Sequence, residues 1–177
     1  RANIAFNAGI EGVSVRRDST ERVVDTEDKL MGAFAGIAFG NARRPAYAIS
    51  PEDGLRASFT ARRRFDLDPV FRDATYTELS GMLTGYASVH AFGFAHHVLA
   101  ARLSALHRGG TGVGPTDVGG IGDFLPARGF EDGDRIGFNA WSASLEYRLP
   151  VTMVGRGIGL LPFFVDRIAA NAFLDAG

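Results

Sequence analysis

Apolar and polar residues alternate over long stretches of this chain, and that alternation limits the folds that the chain can adopt. The clearest example is residues 55–64, whose apolar set is Leu55, Ala57, Phe59 and Ala61 and whose polar set is Arg56, Ser58, Thr60, Arg62 and Arg64. A period of two residues is typical of a β-strand with two different faces. No apolar stripe with the 3.6-residue period of a helix is sustained, so the sequence predicts an all-β, antiparallel fold.

The same alternation recurs along the chain and predicts about seven strands, each of roughly ten or more residues. The approximate ranges are 3–15, 29–41, 55–64, 78–88, 99–105, 138–149 and 164–177, and the second could extend to residue 49. Pro150 is expected to end the sixth strand, because proline has no backbone N–H to donate to a neighbouring strand.

The segments between these strands are short and long in turn. Eight of the thirteen residues at 16–28 are charged, and this segment is interpreted as a solvated loop, whereas Pro51 and Gly54 suit a tight turn. The glycine-rich segment at about residues 108–135 is the longest connection, and loops beyond about 15 residues are uncommon unless they are functional. Short turns that alternate with long loops are typical of outer-membrane barrels.

Composition and strand length narrow the fold class. With 46% hydrophobic and 22% charged residues, the chain is neither generally disordered nor collagen-like. No apolar run approaches the roughly 18 residues that a membrane-spanning helix needs, so a membrane span would have to be β. Tilted strands of roughly 9–11 residues cross a bilayer, whereas strands of soluble sandwiches average nearer 5–6. We therefore interpret the chain as a segment of a transmembrane β-barrel rather than as a β-sandwich.

The polar faces of the predicted strands carry several arginines. Such charges are very costly against lipid but are tolerated in a water-filled lumen. The residues assigned to the lumen-facing side are Arg56, Arg62, Arg64, Arg102 and Arg148. Trp141 and Tyr147 lie on one apolar face, where they are either markers of two interfacial aromatic belts or two ordinary core aromatics.

Several function classes find little support in the residue types. The absence of cysteine excludes disulfides, thiolate metal sites and a thiol nucleophile, and a formal net charge of -1 indicates no global basic field for nucleic acid. Adjacent histidines such as His96 and His97 point to opposite faces of a strand and cannot share a metal ion without distortion. The glycines at residues 109–114 lack the Gly-Lys-Ser/Thr ending of a phosphate loop. We therefore expect no enzyme activity, metal or cofactor.

Three segments near the C-terminal end of the chain carry a family resemblance. Residues 126–130 read Pro-Ala-Arg-Gly-Phe, residues 144–150 read Ser-Leu-Glu-Tyr-Arg-Leu-Pro, and residues 173–177 read Phe-Leu-Asp-Ala-Gly. In this order they resemble the signature of the bacterial surface antigen family, which includes the BamA-type outer-membrane assembly proteins and the two-partner secretion pores. Ala127 replaces the valine that is commoner there. The resemblance covers the whole chain loosely and implies about the seventh to thirteenth strands of a sixteen-strand barrel.

In this family the long loop folds back into the lumen, with an Arg-Gly-aromatic motif at its tip. The resemblance places Arg128, Gly129 and Phe130 at that tip and implies that Arg128 reaches towards Glu146 and Asp175. The predicted strand pattern agrees, because Glu146 falls on the polar face of its strand. A guanidinium offers a planar fork of donors that can engage carboxylates and hold a flexible loop in place.

The resemblance also implies a function and a location. The chain is expected to lie in the bacterial outer membrane and to assist the insertion or translocation of polypeptides, without enzyme activity. Its expected partners are outer-membrane lipid, an unfolded or translocating polypeptide and periplasmic domains of the same chain, but not nucleic acid. Strand-like alternation begins almost at once after Arg1, so residues 1–177 are interpreted as a partial barrel domain. The alternative is a passive outer-membrane pore or an anchor domain fused to a periplasmic domain.

Overall fold

The computed structural model describes residues 2–17, 26–67, 75–113, 116–118, 125–128, 131, 135–157 and 164–177. Within these ranges the chain forms nine strands and no helix. The strands are β1 (Asn3–Arg17), β2 (Thr26–Gly40), β3 (Gly54–Asp66), β4 (Thr75–Val89), β5 (His97–Gly110), β6 (Thr116–Val118), β7 (Arg135–Gly137), β8 (Asn139–Gly157) and β9 (Phe164–Ala176). The all-β prediction is confirmed.

Seven of the strands form one antiparallel sheet in the order β1-β2-β3-β4-β5-β8-β9. Each strand therefore pairs with the next long strand along the chain, as expected when consecutive strands are joined by hairpin connections. The pairing runs further than the sequence predicted. Between β1 and β2 it continues through Arg16↔Glu27 to Arg17↔Thr26, so both strands enter the segment that was interpreted as a loop.

The prediction that Pro150 ends its strand is wrong. Strand β8 continues to Gly157, and the pairing of β8 with β9 shifts register between Pro150 and Thr152. Pairing of β8 with β5 ends at Val98↔Arg148, so beyond that point β8 has a neighbour on one side. A proline is tolerated at such an edge or bulge, because no ladder hydrogen bond depends on its missing N–H there.

The long connection between β5 and β8 contains a small antiparallel pair that the sequence did not predict. Strands β6 and β7 are three residues each and pair from Thr116↔Gly137 to Val118↔Arg135. Strands of this length are too short to show an alternating pattern, which explains why they were missed. Strand β5 also extends to Gly110, so the described part of the connection begins at residue 111.

The two faces of the seven-stranded sheet differ in an unusual way. On one face, called here the apolar face, large hydrophobic side chains are open: Phe6 is 78%, Ile10 76% and Leu174 71% exposed. On the other, called the polar face, Ser104 is 0% and Glu78 5% exposed. A sheet in a water-soluble sandwich buries its apolar face and exposes its polar one. Among the described residues this arrangement is reversed.

The connection between β2 and β3, residues 41–53, contacts the distant edge strand β9. Arg167 of β9 donates from Nη1 to the backbone oxygens of Tyr47 and Ala48 over 3.2 and 3.0 Å. Ala48 and Glu52 are 1% and 3% exposed. Because β9 lies at the opposite edge of the sheet from β2, this connection crosses one end of the polar face.

Gly54 begins β3 with a left-handed backbone, at φ +105°, and the β2–β3 connection depends on it. A Cβ atom placed there would lie 2.8 Å from the Cα of Ala42 and from the backbone oxygen of Asn41. We expect Gly54→Ala to lower the free energy of unfolding by about 1–3 kcal/mol, through backbone strain and this overlap. Urea unfolding measures the change. Gly12→Ala is the control, since nothing lies within 4 Å of its Cβ position, and an equal loss there would contradict this account.

Candidate functional site

Residues 125–128 lie on the polar face, over β5 and β8. Leu125 and Ala127 are 1% and 0% exposed and form a small hydrophobic cluster with Leu106 of β5, and Ala140 of β8 packs against this cluster. These apolar contacts, like those of Leu30 and Tyr76, lie on the polar face. They fix the position of the segment immediately before Arg128.

Arg128 engages Asp175 of β9 through both its side chain and its backbone. Its Nε donates to Oδ2 over 2.7 Å, its Nη2 donates to Oδ1 over 2.8 Å, and its backbone N–H donates to Oδ2 over 2.9 Å. The two side-chain bonds match the planar fork of a guanidinium to the two oxygens of one carboxylate. Asp175 therefore holds the segment by a bidentate, charge-assisted contact.

Strand β8 and Phe173 of β9 complete the surroundings of Arg128. Nη2 donates to the Oγ of Ser144 over 2.8 Å and lies 2.9 Å from the Oε1 of Glu146. The guanidinium carbon is 3.8 Å from the ring centroid of Phe173, within the range of a cation–π contact. We call Arg128, Ser144, Glu146, Phe173 and Asp175 the arginine clasp, because one side chain joins the loop segment to two neighbouring strands.

Burial makes the charges of the arginine clasp interdependent. The side chains of Arg128, Glu146 and Asp175 are 23%, 16% and 2% exposed. The hydrogen bond to Asp175 raises the pKa of Arg128 above its ordinary value, so this guanidinium stays charged at any pH that the fold experiences. A carboxylate as covered as that of Asp175 is costly without its cation.

The structure brings together three of the five residues that the resemblance placed at the loop tether. Arg128, Glu146 and Asp175 are in direct contact. Gly129 and Phe130 lie outside the described residues. Two members of the arginine clasp were not predicted: Ser144 and Phe173. The sequence analysis had placed Ser144 on a polar strand face and Phe173 in the matched motif. Neither observation indicated that the residue contacts Arg128.

A second ionic network lies on the polar face, near the end of β3 and the beginning of β4. Glu78 accepts from Arg62 Nη1 over 2.6 Å and from Arg108 Nε over 2.8 Å, and its side chain is 7% exposed. Arg62, Glu78 and Arg108 are successive cross-strand partners, so opposite charges alternate across three strands. Glu11 of β1 extends the network, since its Oε1 lies 2.9 Å from Arg62 Nε and 2.7 Å from Arg64 Nε.

Glu78 is the centre of this network, and its neutralisation tests the network's contribution to stability. We expect Glu78→Gln to lower the free energy of unfolding by about 1–2 kcal/mol, because charge-assisted hydrogen bonds become neutral ones and two covered guanidiniums lose their shared carboxylate. Urea unfolding of the folded chain measures the loss. Arg63→Gln, at an exposed position on the opposite face, is the control. Equal losses in the two variants would show that the network adds no stability.

All five arginines that were assigned to the lumen-facing side lie on the polar face, but their surroundings differ. Arg62 and Arg64 belong to the network around Glu78 and Glu11. Arg148 donates from Nε and Nη2 to the Oε2 of Glu146 over 2.9 and 2.6 Å. Arg56 and Arg102 have no carboxylate partner within the part of the chain that the structure describes.

Three of the histidines, His96, His97 and His107, make hydrogen bonds, and the ring of His90 lies 4.4 Å from that of His96 between centroids. The ring of His97, 1% exposed, contacts the hydroxyl of Tyr147 from Nδ1 over 2.6 Å and the backbone oxygen of Phe92 from Nε2 over 2.7 Å. His96 Nδ1 lies 2.8 Å from the Oε2 of Glu52. Across the described ranges, no group of three histidine, aspartate or glutamate side chains is arranged to hold a metal ion.

Comparison with known proteins adds no assignment to this geometry. No family model matches the chain, and neither a curated protein nor a solved structure is significantly similar to it. In the described residues the structure has no helix that is both long enough and apolar enough to cross a membrane.

Proposed function

We propose that this chain is part of a bacterial outer-membrane β-barrel of the surface antigen type, which assists the insertion or translocation of polypeptides. The observation that carries the proposal is the reversed polarity of the sheet: Phe6 is 78% exposed on the apolar face, whereas Ser104 is 0% exposed on the polar face. Contact between such an exposed apolar face and water is unfavourable, whereas contact with lipid is favourable. The polar face then lines an aqueous lumen.

The extent of the apolar face along each strand supports a membrane span. On β4 the outward positions are apolar or glycine from Leu79 to Val89, and on β2 they are apolar from Met31 to Phe39, with Lys29 beyond. These lengths agree with the roughly 9–11 residues that a tilted strand needs to cross the hydrocarbon core. Trp141 and Tyr147, 50% and 39% exposed on the apolar face of β8, are then interfacial aromatics rather than core residues.

The two outer strands of the sheet set a requirement for this proposal. Strands β1 and β9 each have one paired neighbour in the described sheet. Unpaired backbone N–H and C=O groups cost several kcal/mol each in hydrocarbon, so an open edge is not tolerated in lipid. The proposed barrel therefore has both β1 and β9 paired in the membrane.

The arginine clasp supports the resemblance to assembly and secretion barrels over a passive pore. The resemblance implies this contact, whereas a passive pore does not require Arg128 in particular. Here residues 125–128 are bound to β5, β8 and β9 by both the hydrophobic cluster around Leu106 and the clasp. A loop fixed in the lumen can shape a path for an extended polypeptide and couple its passage to the neighbouring strands.

The direct test is reconstitution in liposomes of outer-membrane composition of the full chain, by which we mean the complete barrel in which both β1 and β9 are paired. We expect the proteoliposomes to accelerate the membrane insertion of an unfolded outer-membrane protein, or the passage of a secreted polypeptide, relative to empty liposomes. The readouts are protease protection and heat-modifiable gel migration of the substrate. Ion conductance without any effect on polypeptides would favour the passive pore or anchor domain. Failure of the full chain, with both β1 and β9 paired, to enter liposomes would contradict the membrane proposal itself.

A further inference from the structure

The polar face carries a row of four hydrogen-bonding side chains on neighbouring strands, and two of the four are arginines. Arg56, Thr84, Arg102 and Ser144 are successive cross-strand partners on β3, β4, β5 and β8, and Asp175 follows on β9. We call the first four residues the basic row. Asp175 is fully engaged by Arg128, so it does not neutralise the arginines of the row.

The two arginines of the basic row differ from the others on this face. Arg62, Arg64, Arg108, Arg128 and Arg148 each contact a carboxylate. Arg56 and Arg102 contact none within the described ranges, and Arg56 instead lies with its guanidinium carbon 6.0 Å from the ring centroid of Tyr86. Arg148 lies 5.9 Å from the same ring. The guanidinium groups of Arg56 and Arg148 therefore both lie near Tyr86 of β4, and Glu146 is the nearby acid that Arg148 and Arg128 already share.

The space beside the basic row is large enough for an oxyanion. A cavity of about 150 Å³ is lined by Arg102, Thr84, Tyr86, Ser144 and Arg148, and also by Glu146, whose carboxylate is paired with Arg128 and Arg148. A second cavity of about 440 Å³ is lined by Arg56 and Ser58 and shares Met82 with the first. The Cα atoms of Arg56 and Arg102 are two strands apart, or roughly 10 Å, so two extended guanidinium groups can reach one group placed between them.

We infer that the basic row binds an oxyanion, a carboxylate or phosphate group, between Arg56 and Arg102. Guanidinium groups match the planar or tetrahedral oxygens of such groups, and the hydroxyls of Thr84 and Tyr86 add donors. The inference deepens the proposed function and rests on its aqueous lumen: the ligand is either an acidic side chain of a translocating polypeptide or a free inorganic anion. The shared chemistry is the negatively charged oxygen.

The test is isothermal titration calorimetry on the full chain folded in nonionic detergent, with inorganic phosphate, hexaglutamate and hexalysine as the probes. We expect phosphate and hexaglutamate to compete for one site, and hexalysine not to bind. Tighter binding of hexaglutamate than of phosphate identifies the polypeptide as the source of the ligand, and the reverse order identifies a free anion. Affinity should fall with added salt, because the contacts are electrostatic. Absence of binding by both anions would overturn the inference.

The variants Arg56→Gln and Arg102→Gln test whether the anion binds at the basic row. Each should weaken anion binding by about tenfold or more, because hydrogen bonds to charged groups are lost. Arg63→Gln is the matched control, since it removes the same charge from the opposite face of β3 and should leave the affinity unchanged. Arg56→Lys and Arg102→Lys keep the charge and should bind with intermediate affinity. Equal weakening by Arg63→Gln would place binding elsewhere and reject the basic row.

The two proposals can fail separately. Anion binding that depends on Arg56 and Arg102, together with no effect on polypeptide insertion, would support the basic row and reject the assembly function. Polypeptide insertion that continues unchanged in a chain that binds neither phosphate nor hexaglutamate would support the assembly function and reject the basic row.

Discussion

Arg128→Ala should lower the free energy of unfolding by about 3–5 kcal/mol and abolish polypeptide insertion or translocation. The change leaves the carboxylate of Asp175, 2% exposed, without its bidentate partner, and an uncompensated covered charge costs this much. It also removes the contacts to Ser144 and Glu146 that join residues 125–128 to β8. Stability is measured by urea unfolding and function by the proteoliposome assay.

A double-mutant cycle separates the ion pair from other effects of the truncation. Asp175→Ala alone and Arg128→Ala alone should each destabilise the chain, and the double variant should lose less than the sum of the two. Arg156→Ala, at an exposed position near the end of β8, is the control and should change stability by no more than about 0.5 kcal/mol. Additive losses would show that the two side chains are not coupled.

The functional readout decides between assembly factor and passive pore. A passive pore does not depend on a bound loop, so Arg128→Ala would keep its conductance and would not affect any polypeptide. An assembly or secretion barrel should lose activity even at temperatures where the variant remains folded. Arg128→Lys sharpens the comparison, because lysine keeps the charge but lacks the fork that binds both oxygens of Asp175.

The alternation in the sequence was sufficient to predict the seven long antiparallel strands and the two faces of β1, β3, β4, β5 and β8, because the two-residue period is local. It was sufficient on β8, where Trp141 and Leu145 are exposed and Ser142 and Ser144 are buried. Strand ends were less predictable. Backbone pairing continued through charged residues such as Arg16, and through Pro150 by a change of register, and neither leaves a local pattern.

The candidate site was only partly predictable, because its contacts join residues that are distant in the sequence. The contact of Arg128 with Glu146 and Asp175 came from a family resemblance, since no local pattern connects residues that are 47 apart in the chain. The network of Arg62, Glu78 and Arg108 was not predicted, although all three fall on polar faces. Its members meet because the β3–β4 and β4–β5 registers align them, and register is set by turns and packing across the whole sheet.

Leu103→Arg tests the medium that contacts the apolar face, and its result should differ sharply between lipid and water. Leu103 is 48% exposed near the middle of the apolar stretch of β5. In water, an arginine at such an exposed position changes stability little. At the bilayer midplane it costs about 2–4 kcal/mol, falling to about 0–1 kcal/mol near the interfaces.

The matched control is Phe164→Arg, at the start of β9, where the side chain is 67% exposed and Asp166 follows on the same face. We expect folding of the full chain into vesicles to lose about 2–4 kcal/mol in Leu103→Arg and about 0–1 kcal/mol in Phe164→Arg. Urea titration in phospholipid vesicles measures both. Equal and small losses would mean that water, not hydrocarbon, meets the apolar face. The polar face would then not enclose a lumen, and the arginine clasp would bind a loop to an ordinary sheet.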